Sequence, residues 1–376
     1  MWLSAAMIVR DEEAVLRDCL ASIQSVVDEI VVVDTGSTDR SQSIAREFGA
    51  RLFHHRWRDD FAAARNEALD RARGRFVLYI DADERLAPAS RAAVLDVLAD
   101  ESAVCHTVRF RPQAGYTPYR EYRIFRSDPR IRFRGAIHET MVPGVRAVAA
   151  ADGLRIVSSP LVIDHVGYDG DQEQKHRRNL PLLRARLAED PEHAFCWHHL
   201  GRVLAALGDA DGAAEAWRRG VEVVRRRAEP SPVDGLLYGS LLRHELDHGR
   251  RTPGLLEEAL ARCPGNHLIA WLRGRRLVTE GRHEEAIAVF EPLSAVDAAT
   301  FVDDAVAYDA RIFGVWSLDA LGLCCFRLGR FAESARHYAR AEALAPADVE
   351  YRAKRQLAEA RLHDATRRLD GCGEVS

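Results

Sequence analysis

An apolar run changes abruptly into carboxylates in the stretch Phe76-Val77-Leu78-Tyr79-Ile80-Asp81-Ala82-Asp83-Glu84. The apolar part is short and rich in aromatic and β-branched residues, which predicts a buried strand over Phe76–Ile80. In open α/β sheets, side chains that follow the carboxyl end of a parallel strand lie in the crevice where ligands bind. Carboxylate oxygens at that place suit Mg²⁺ or Mn²⁺. An Asp-x-Asp tripeptide alone, however, is more often a solvated turn or a helix cap.

Short β-branched runs alternate with helical segments from Leu3 to about Phe110, which predicts strand-helix-strand units on a mainly parallel sheet. The predicted strands are Ser4–Val9, Glu29–Asp34, Arg51–Phe53, Phe76–Ile80 and Val104–Phe110. The predicted helices are Glu12–Val26, Arg40–Phe48, Asp60–Arg73 and Ala89–Leu98. Glycines and prolines divide residues 111–164 into what we interpret as short strands and loops, a reasonable place for a substrate site.

Strand signals are absent from about Asp171 onward, so the second half is predicted to be all-helical. Small and large residues recur there at helix-turn-helix offsets, with an interruption from Leu293 to Phe313. The clearest positions are Trp197, Gly201, Gly208 and Trp217, then Gly274, Gly281 and Phe290, then Gly322, Gly329 and Tyr338, with a degenerate copy around Tyr238. These offsets resemble the tetratricopeptide repeat, in which small residues let paired helices approach. A generic helical bundle is the alternative.

Composition limits the classes of function that need to be considered. The 376 residues include 53 Lys+Arg and 57 Asp+Glu, a formal charge of −4, which argues against a nucleic-acid partner. Apolar runs fall far short of the roughly 20 residues that a membrane-spanning helix needs. The apolar N-terminus has no basic leader and is interpreted as a strand. Seven scattered cysteines without a Cys-x-x-Cys spacing favour free thiols in the cytoplasm.

Three further segments combine a strand or helix with residues suited to ligand binding. They are Met7-Ile8-Val9-Arg10-Asp11-Glu12-Glu13, Ile30-Val31-Val32-Val33-Asp34-Thr35-Gly36-Ser37-Thr38-Asp39 and Asp60-Phe61-Ala62-Ala63-Ala64-Arg65-Asn66. Gly36 permits close backbone approach, and Ser37 or Thr38 can cap the next helix. The first two segments are strands that end on the same side as the acidic strand. A ligand site at that edge is therefore predicted.

The order of these segments, from Met7 to about Leu86, resembles the family 2 glycosyltransferases, whose nucleotide-sugar-binding domain has the GT-A fold. Downstream, Ile137-His138-Glu139 and His165-Val166-Gly167-Tyr168 with Lys175 and Arg178 resemble a subgroup that carries tetratricopeptide repeats behind the catalytic domain. Its relatives include enzymes that glycosylate bacterial peptides and others that extend surface saccharides. The resemblance implies an α/β GT-A-like domain over 1–170, a connecting helix over 171–190 and all-α tetratricopeptide-like repeats over 191–376.

The resemblance also implies site residues. Those implied for the nucleotide sugar are Arg10, Asp34, Gly36, Arg65, Asn66, Asp81, Ala82, Lys175 and Arg178. Asp34 could accept a hydrogen bond from a uracil imide, although the family commonly has a second acidic residue where this chain has Thr35. Arg65 could pair with base or diphosphate, or with a carboxylate of the protein. Lys175 and Arg178 could oppose the leaving diphosphate or be solvated helix charges.

Asp83, Asp81 and His165 are the implied ligands of Mg²⁺ or Mn²⁺. Asp81 could instead hold the ribose or a water, and a lone histidine such as His165 is as often structural. The cation would neutralise charge that grows on the diphosphate.

Transfer with inversion needs a base on the acceptor side, and Glu139 is the candidate, with His138 as orienter or alternative base. The alternative for Glu139 is an ion pair with Arg132 or Arg134. His198 and His199 are adjacent on a predicted helix, where side chains diverge by about 100°, so they are expected to be packing or surface residues.

The expected function is that of a metal-dependent inverting glycosyltransferase. It would move a hexose from a UDP-sugar to a Cys, Ser or Thr side chain of a peptide or protein. Stacked helix pairs form concave surfaces suited to an extended peptide, so the repeats are expected to hold the acceptor. They could instead form a homodimer. A cell-surface or lipid-linked saccharide acceptor, and a non-catalytic repeat scaffold, are the alternative functions.

Overall fold

A computed structural model of the chain describes residues 1–166 and 172–372, so Gly167 and Tyr168 of the quoted motif lie outside the described residues. Eight strands form one sheet in the first half. They are β1 Leu3–Val9, β2 Glu29–Asp34, β3 Arg51–His54, β4 Phe76–Tyr79, β5 Glu84–Leu86, β6 Ala103–Arg111, β7 Tyr119–Arg126 and β8 Arg155–His165. The helices among them are α1 Leu16–Ile23, α2 Ser41–Glu47, α3 Phe61–Arg71, α4 Arg91–Leu98 and α5 Val142–Asp152.

The sheet has the strand order β3-β2-β1-β4-β7-β6-β8-β5. The four strands from β3 to β4 are parallel, as predicted. The other half is mixed, because β7 runs antiparallel to both β4 and β6, and β5 runs antiparallel to β8. Buried apolar residues form a core on each face of the sheet. Parallel neighbours need long crossover connections, which are usually helices. The sequence therefore shows the parallel strands as an alternation of strand and helix patterns.

The prediction of short strands and loops over residues 111–164 was wrong. This stretch contains strands β7 and β8 and helix α5, which begins with Pro143 near its first position and ends at Gly153 in the left-handed region, φ +66°. Proline early and glycine just after the end are common helix boundaries, so these two breakers delimit a helix.

The loop after β1 is tied to the loop after β2. The backbone N–H of Glu12 donates to Ser41 Oγ at 2.8 Å, and that of Glu13 donates to Asp39 Oδ2 at 2.9 Å. Asp11 has a left-handed backbone, φ +55°, and residues 13–15 form a turn. Helix α1 begins after this turn, at Leu16, so the predicted start at Glu12 was wrong.

Residues 172–372 are helical apart from their connections, which confirms the all-helical prediction. The helices are α6 Gln172–Glu189, α7 Ala194–Ala206, α8 Ala210–Arg226, α9 Pro232–Asp247, α10 Leu255–Arg262, α11 His267–Thr279, α12 His283–Ser294, α13 Val315–Arg327, α14 Phe331–Leu344 and α15 Val349–Cys372. The predicted interruption lies between α12 and α13 and contains a 3-10 turn at Ala310–Ile312. None of the helices in the described residues combines the length and apolarity that crossing a lipid bilayer demands.

The chain divides into two compact units. The first comprises Met1–Ala114, Pro118–Ala216 and Val302–Ala307, and the second comprises the remainder. The predicted domain boundaries at residues 170 and 190 differ from the limits of these two units and stay a prediction. Every residue of the candidate site described below belongs to the first unit.

Small residues face large ones in the helix pairs of the second unit. A Cβ at Gly274 would lie 2.4 Å from the ring of Phe290, and one at Gly322 would lie 2.6 Å from the ring of Tyr338. Both contacts are shorter than any real Cβ packing distance. The helices pack closely because these positions lack a side chain, as the repeat pattern predicts.

Gly322→Ala is therefore expected to destabilise the protein by about 1–3 kcal/mol, the usual cost of overpacking, despite the better helix propensity of alanine. The matched control is Gly239→Ala, whose Cβ would meet the movable end of the half-buried Leu268 side chain, so a smaller loss is expected. Urea unfolding followed by circular dichroism measures both. Equal losses would contradict the packing argument.

Candidate active site

The ends of three parallel strands meet at one edge of the sheet. Val9 is in register with Asp34, and Ala6 is in register with Tyr79. The segments that follow β1, β2 and β4 therefore begin side by side. Residues 10–12, Asp34 and Asp81 are brought to the same edge, as the sequence predicts.

Asp34 is almost fully buried, with 1% of its surface exposed. Its carboxylate accepts hydrogen bonds from the N–H groups of Gly36 at 3.1 Å and Ser37 at 3.2 Å and from Gln42 Nε2 at 3.1 Å. Gly36 has φ +112°, which only glycine adopts without strain. Asp34 thus shapes its own turn, and most of its acceptor capacity is used by the protein.

Two groups near this turn are exposed. His54, at the end of β3, places Nδ1 3.6 Å from Asp34 Oδ2 and is 61% exposed. Sequence reasoning missed His54, since a lone histidine at a strand end carries no motif. Arg10 is also exposed and pairs with no carboxylate among the described residues. Both side chains can reach a ligand at this edge.

Arg65 joins two carboxylates. Its Nη1 and Nη2 lie 2.8 and 3.0 Å from the two oxygens of Asp81, and its Nε donates to Glu139 Oε1 at 2.5 Å. The sequence left a protein carboxylate open as the partner of Arg65, and the structure supplies two. Glu139 pairs with Arg65 and not with Arg132 or Arg134, the expected alternatives. Burial favours a raised pKa for Asp81, but the charge and hydrogen bonds of Arg65 outweigh it and lower the pKa.

A buried ion pair supports the turn that carries Asp81. The N–H of Asp81 donates to Glu84 Oε2 at 2.9 Å, and Glu84 receives two bonds from Arg123, at 2.7 and 2.9 Å. Arg123 also lies over the rings of Tyr79, at 4.3 Å, and Phe110, at 4.7 Å. No local pattern indicates this pair, because its members are 39 residues apart in the chain. Removing either partner would leave a buried charge uncompensated.

Asp83 faces His165 from β8. His165 Nε2 lies 3.1 Å from Asp83 Oδ2, and His165 Nδ1 lies 3.0 Å from the carbonyl oxygen of Pro112. Desolvation alone would lower the pKa of His165, but its bond to the Asp83 carboxylate and the nearby charges raise it. Asp83 Oδ1 accepts no hydrogen bond from the described residues.

The carboxylate oxygens of Asp81 and Asp83 suit a divalent cation that takes only some of its ligands from the protein. Within the described part of the chain, no three His, Cys, Asp or Glu side chains are grouped closely enough to hold a metal by themselves. Mg²⁺ commonly binds through one or two carboxylates, with phosphate oxygens and water completing its shell. Asp83 offers a free oxygen for this mode, whereas both oxygens of Asp81 already contact Arg65.

Glu12 is a further acidic residue at this edge, and the sequence assigned it no role. Burial and the negative charges of Asp83 and Asp81 raise its pKa to about 7, while Lys175 and Arg178 act in the opposite direction. The two basic side chains are exposed and three residues apart on α6, so they share a face. Positive charge from α6 therefore acts on the acidic strand end, and its role toward a diphosphate stays a prediction.

A closed loop presents Glu139. Arg134 and Thr140 exchange two backbone hydrogen bonds of 3.1 Å, and the N–H of Phe61 donates to the carbonyl oxygen of Ala136 at 3.0 Å. Asn66 holds the same loop with its side-chain amide, which donates to the carbonyl oxygen of Phe133 and accepts from its N–H, both at 2.9 Å. Asn66 therefore anchors the loop in this structure. Ala82 is buried, so only its backbone can meet a ligand.

His138 packs on helix α7. Its backbone has φ +52°, and its ring lies against that of His199 in a tilted arrangement with centroids 3.8 Å apart and meets the ring of Phe195 at 5.3 Å. Burial, with the nearby charges of His193 and Arg202, lowers the pKa of His138 to about 4. The structure thus shows His138 as a packing residue between the loop and α7. Within the described residues His138 forms no hydrogen bond to Glu139 that would support its predicted role as orienter or base.

The buried histidines His138, His198 and His199 are expected to make the stability of the fold sensitive to acid. Burial lowers the pKa of His198 to about 3, against 6.5 for the free side chain, so the unfolded chain binds a proton first. The free energy of unfolding is therefore highest above about pH 6.5. It falls as the pH drops toward 3, by about 1.4 kcal/mol per pH unit for each such group. Urea unfolding at several pH values measures the slope. His198→Gln is expected to flatten it, and an unchanged slope would contradict the assignment.

Comparison with known proteins identifies the first part of the chain. Residues 4–151 match the model of the family described as Glycosyl transferase family 2. This segment is a family 2 glycosyltransferase domain. The predicted fold class, a GT-A-like α/β domain followed by an all-α tetratricopeptide-like domain, is confirmed, as is the predicted family.

Three relatives illustrate the range of similar proteins. A TPR repeat-containing protein of Synechococcus elongatus is 40% identical over 243 residues, covering 63% of this chain and 60% of the relative. The SPbeta prophage-derived glycosyltransferase SunS of Bacillus subtilis is 24% identical over 230 residues, covering 58% and 53%. The lipopolysaccharide core biosynthesis glycosyltransferase LpsC of Rhizobium meliloti is 34% identical over 177 residues, covering 43% and 65%. The chain thus spans about half to two thirds of the length of each.

Proposed function

We propose that the protein is a metal-dependent inverting glycosyltransferase. It moves a hexose from a UDP-sugar to a Cys, Ser or Thr side chain of a peptide or protein. One observation carries the proposal: within a family 2 glycosyltransferase domain, Asp81 at the acidic strand end and Glu139 on the closed loop are joined through Arg65. A donor-side carboxylate and an acceptor-side carboxylate therefore lie within the span of one guanidinium group.

On the donor side, the chain supplies both signs of charge. Asp83 would hold Mg²⁺ or Mn²⁺, with Asp81 and His165 beside it, and the cation when bound would neutralise charge on the diphosphate. Lys175 and Arg178 add positive charge, which acts on Glu12 at the same edge. The exposed His54 beside Asp34 offers a ring and a polar edge to a pyrimidine base.

On the acceptor side, Glu139 accepts the proton. The acceptor oxygen or sulfur forms a bond to the anomeric carbon, and the bond from that carbon to the diphosphate oxygen breaks on the opposite face. The leaving UDP keeps the electron pair of the broken bond, and the acceptor proton moves to Glu139. General-base assistance of this kind contributes roughly 10²- to 10⁴-fold.

A peptide acceptor fits the helical half best, because stacked helix pairs offer an extended surface. The similarity to LpsC favours a saccharide acceptor as the second candidate. A homodimer built by the repeats is a further proposal that gel filtration tests. A cytoplasmic location is part of the proposal, and the free thiols of the six cysteines whose side chains are described support it.

A panel of sugar nucleotides tests the proposal. The purified full-length protein is incubated with each donor and Mg²⁺ or Mn²⁺, and released nucleotide is measured. UDP-hexoses are expected to be turned over, with loss of turnover in EDTA and recovery on adding the cation. Mass spectrometry of peptide and saccharide acceptors then distinguishes the two acceptor classes by the added sugar mass. Absence of turnover with every donor and acceptor would contradict the proposal.

A further inference from the structure

Arg65 is bound on two edges of its guanidinium group. The Nη1 and Nη2 atoms form a fork on Asp81, at 2.8 and 3.0 Å, while Nε is 2.5 Å from Glu139 Oε1. Such a fork is bidentate and fixes the relative orientation of the two groups. A single side chain therefore sets the distance between the donor-side and acceptor-side carboxylates.

The position of Arg65 is restricted by its surroundings. Its side chain is 11% exposed, and its guanidinium carbon lies 5.3 Å from the Tyr79 ring centroid and 5.5 Å from that of Phe133. The next residue, Asn66, binds the backbone of Phe133 through both of its amide atoms. Alternative rotamers of Arg65 would lose these contacts, so the arrangement is held before any ligand arrives.

Glu139 has one oxygen held and one oxygen available. Oε1 accepts from Arg65, whereas Oε2 accepts no hydrogen bond from the described residues. A general base needs a free lone pair at a fixed place within hydrogen-bond reach of the acceptor. Arg65 meets both needs, because it fixes Oε1 and leaves Oε2 for the acceptor proton.

We propose that Arg65 is a positioning residue for the transfer step, which acts by holding Glu139, and that it is not a residue that binds the nucleotide sugar. This inference rests on the proposed glycosyltransferase function and changes the role of Arg65 from nucleotide-sugar binding to positioning. Three of its five N–H donors already serve Asp81 and Glu139, so holding the two carboxylates is the main use of this side chain.

A double-mutant cycle tests the inference in the full-length protein, with Arg65→Met, Glu139→Gln and the double variant. Arg65→Met is expected to lower kcat for transfer by about 10²-fold and to change the donor KM by less than about threefold. In the Glu139→Gln background the same change is expected to lower kcat by less than about threefold, because the general base that Arg65 positions is already lost. Equal losses in both backgrounds, or a donor KM raised more than about tenfold, would overturn the inference.

Arg65→Lys and an unfolding measurement separate positioning from folding. Lysine is a point charge that cannot hold both carboxylates, so transfer is expected to stay at least about tenfold below wild type although the protein folds. Full activity of Arg65→Lys would overturn the inference. Without donor or cation, the melting temperature is expected to fall in Arg65→Met, and to fall less when Glu139 is already Gln. An equal fall in both backgrounds would contradict a direct tie between the two side chains.

The control is Arg71→Met on the same helix, which removes an ion pair with Glu67 and should leave kcat and KM unchanged.

Failure of this inference can be distinguished from failure of the proposed function. If wild-type protein turns over no sugar nucleotide, the function itself fails. If wild-type protein is active and the cycle is additive, only the role of Arg65 fails.

Discussion

Asp83→Ala is expected to lower nucleotide-sugar turnover by about 10³-fold. Asp83 is the residue at the acidic strand end with a carboxylate oxygen unused by the described protein, since Oδ2 meets His165 and Oδ1 accepts nothing. In the proposed mechanism its loss removes the protein's hold on a cation that would neutralise the diphosphate, which is worth several kcal/mol in the transition state. Each 1.4 kcal/mol, roughly, is a factor of ten in rate. The backbone bond from Val166 to the carbonyl of residue 83 does not depend on the side chain, so the fold should survive.

The measurement is nucleotide release with a UDP-hexose at saturating Mn²⁺, beside calorimetric titration of Mn²⁺ in the presence of UDP. Both signals are expected to weaken in Asp83→Ala. Asp70→Ala is the matched control, because that carboxylate is 60% exposed and pairs with Arg132. Turnover within a few-fold of wild type in Asp83→Ala would remove the metal role from the proposal.

The sequence predicts the parallel half of the sheet well because each strand there is signalled locally. Glu29–Asp34 was predicted with the observed ends, and Phe76–Ile80 was predicted one residue too long. Parallel strands buried on both faces are continuous apolar runs, and their ends are marked by the change to polar residues. The location of Asp34 and Asp81 at one edge follows from those ends alone.

The second half of the sheet was not predictable in this way. Strand β7 contains Tyr119, Arg120, Glu121, Tyr122 and Arg123, and with these charged residues it does not form the apolar run that marks a buried strand. In the structure Arg123 is buried because Glu84 neutralises it and two aromatic rings cover it. A buried charge is tolerated only with such partners, and the partners come from distant parts of the chain.

The site shows the same limit. Residue types and strand ends indicated which side chains reach the edge, but the partner of each was set by tertiary contact. Arg65 and Glu139 are 74 residues apart, and no local pattern joins them. Glu12 was missed for a different reason, because its segment was interpreted as the first turn of a helix. The loop that binds Ser41 instead turns this carboxylate toward Asp81 and Asp83.

Glu139→Gln is expected to lower transfer by about 10²- to 10⁴-fold while leaving donor binding intact. Glutamine has the shape of glutamate, and its amide oxygen can still accept from Arg65 Nε. The atom at the position of Oε2 becomes an N–H donor, which cannot take a proton from the acceptor. The change therefore removes the base and keeps the packing of the closed loop between Arg134 and Thr140.

Three quantities decide this prediction: kcat for transfer, KM for the UDP-hexose, and the affinity for UDP with Mn²⁺ measured by calorimetry. A lower kcat with an unchanged KM and affinity is the signature of an interaction made in the transition state only. Glu101→Gln is the control, because Glu101 is 80% exposed and forms only a long pair of 3.4 Å with Arg75. Weaker donor affinity in Glu139→Gln with unchanged kcat would assign Glu139 to the donor. The acceptor base would then have to be sought among other residues of the sheet edge, of which Glu12 is the next candidate because its pKa lies near neutrality, at about 7.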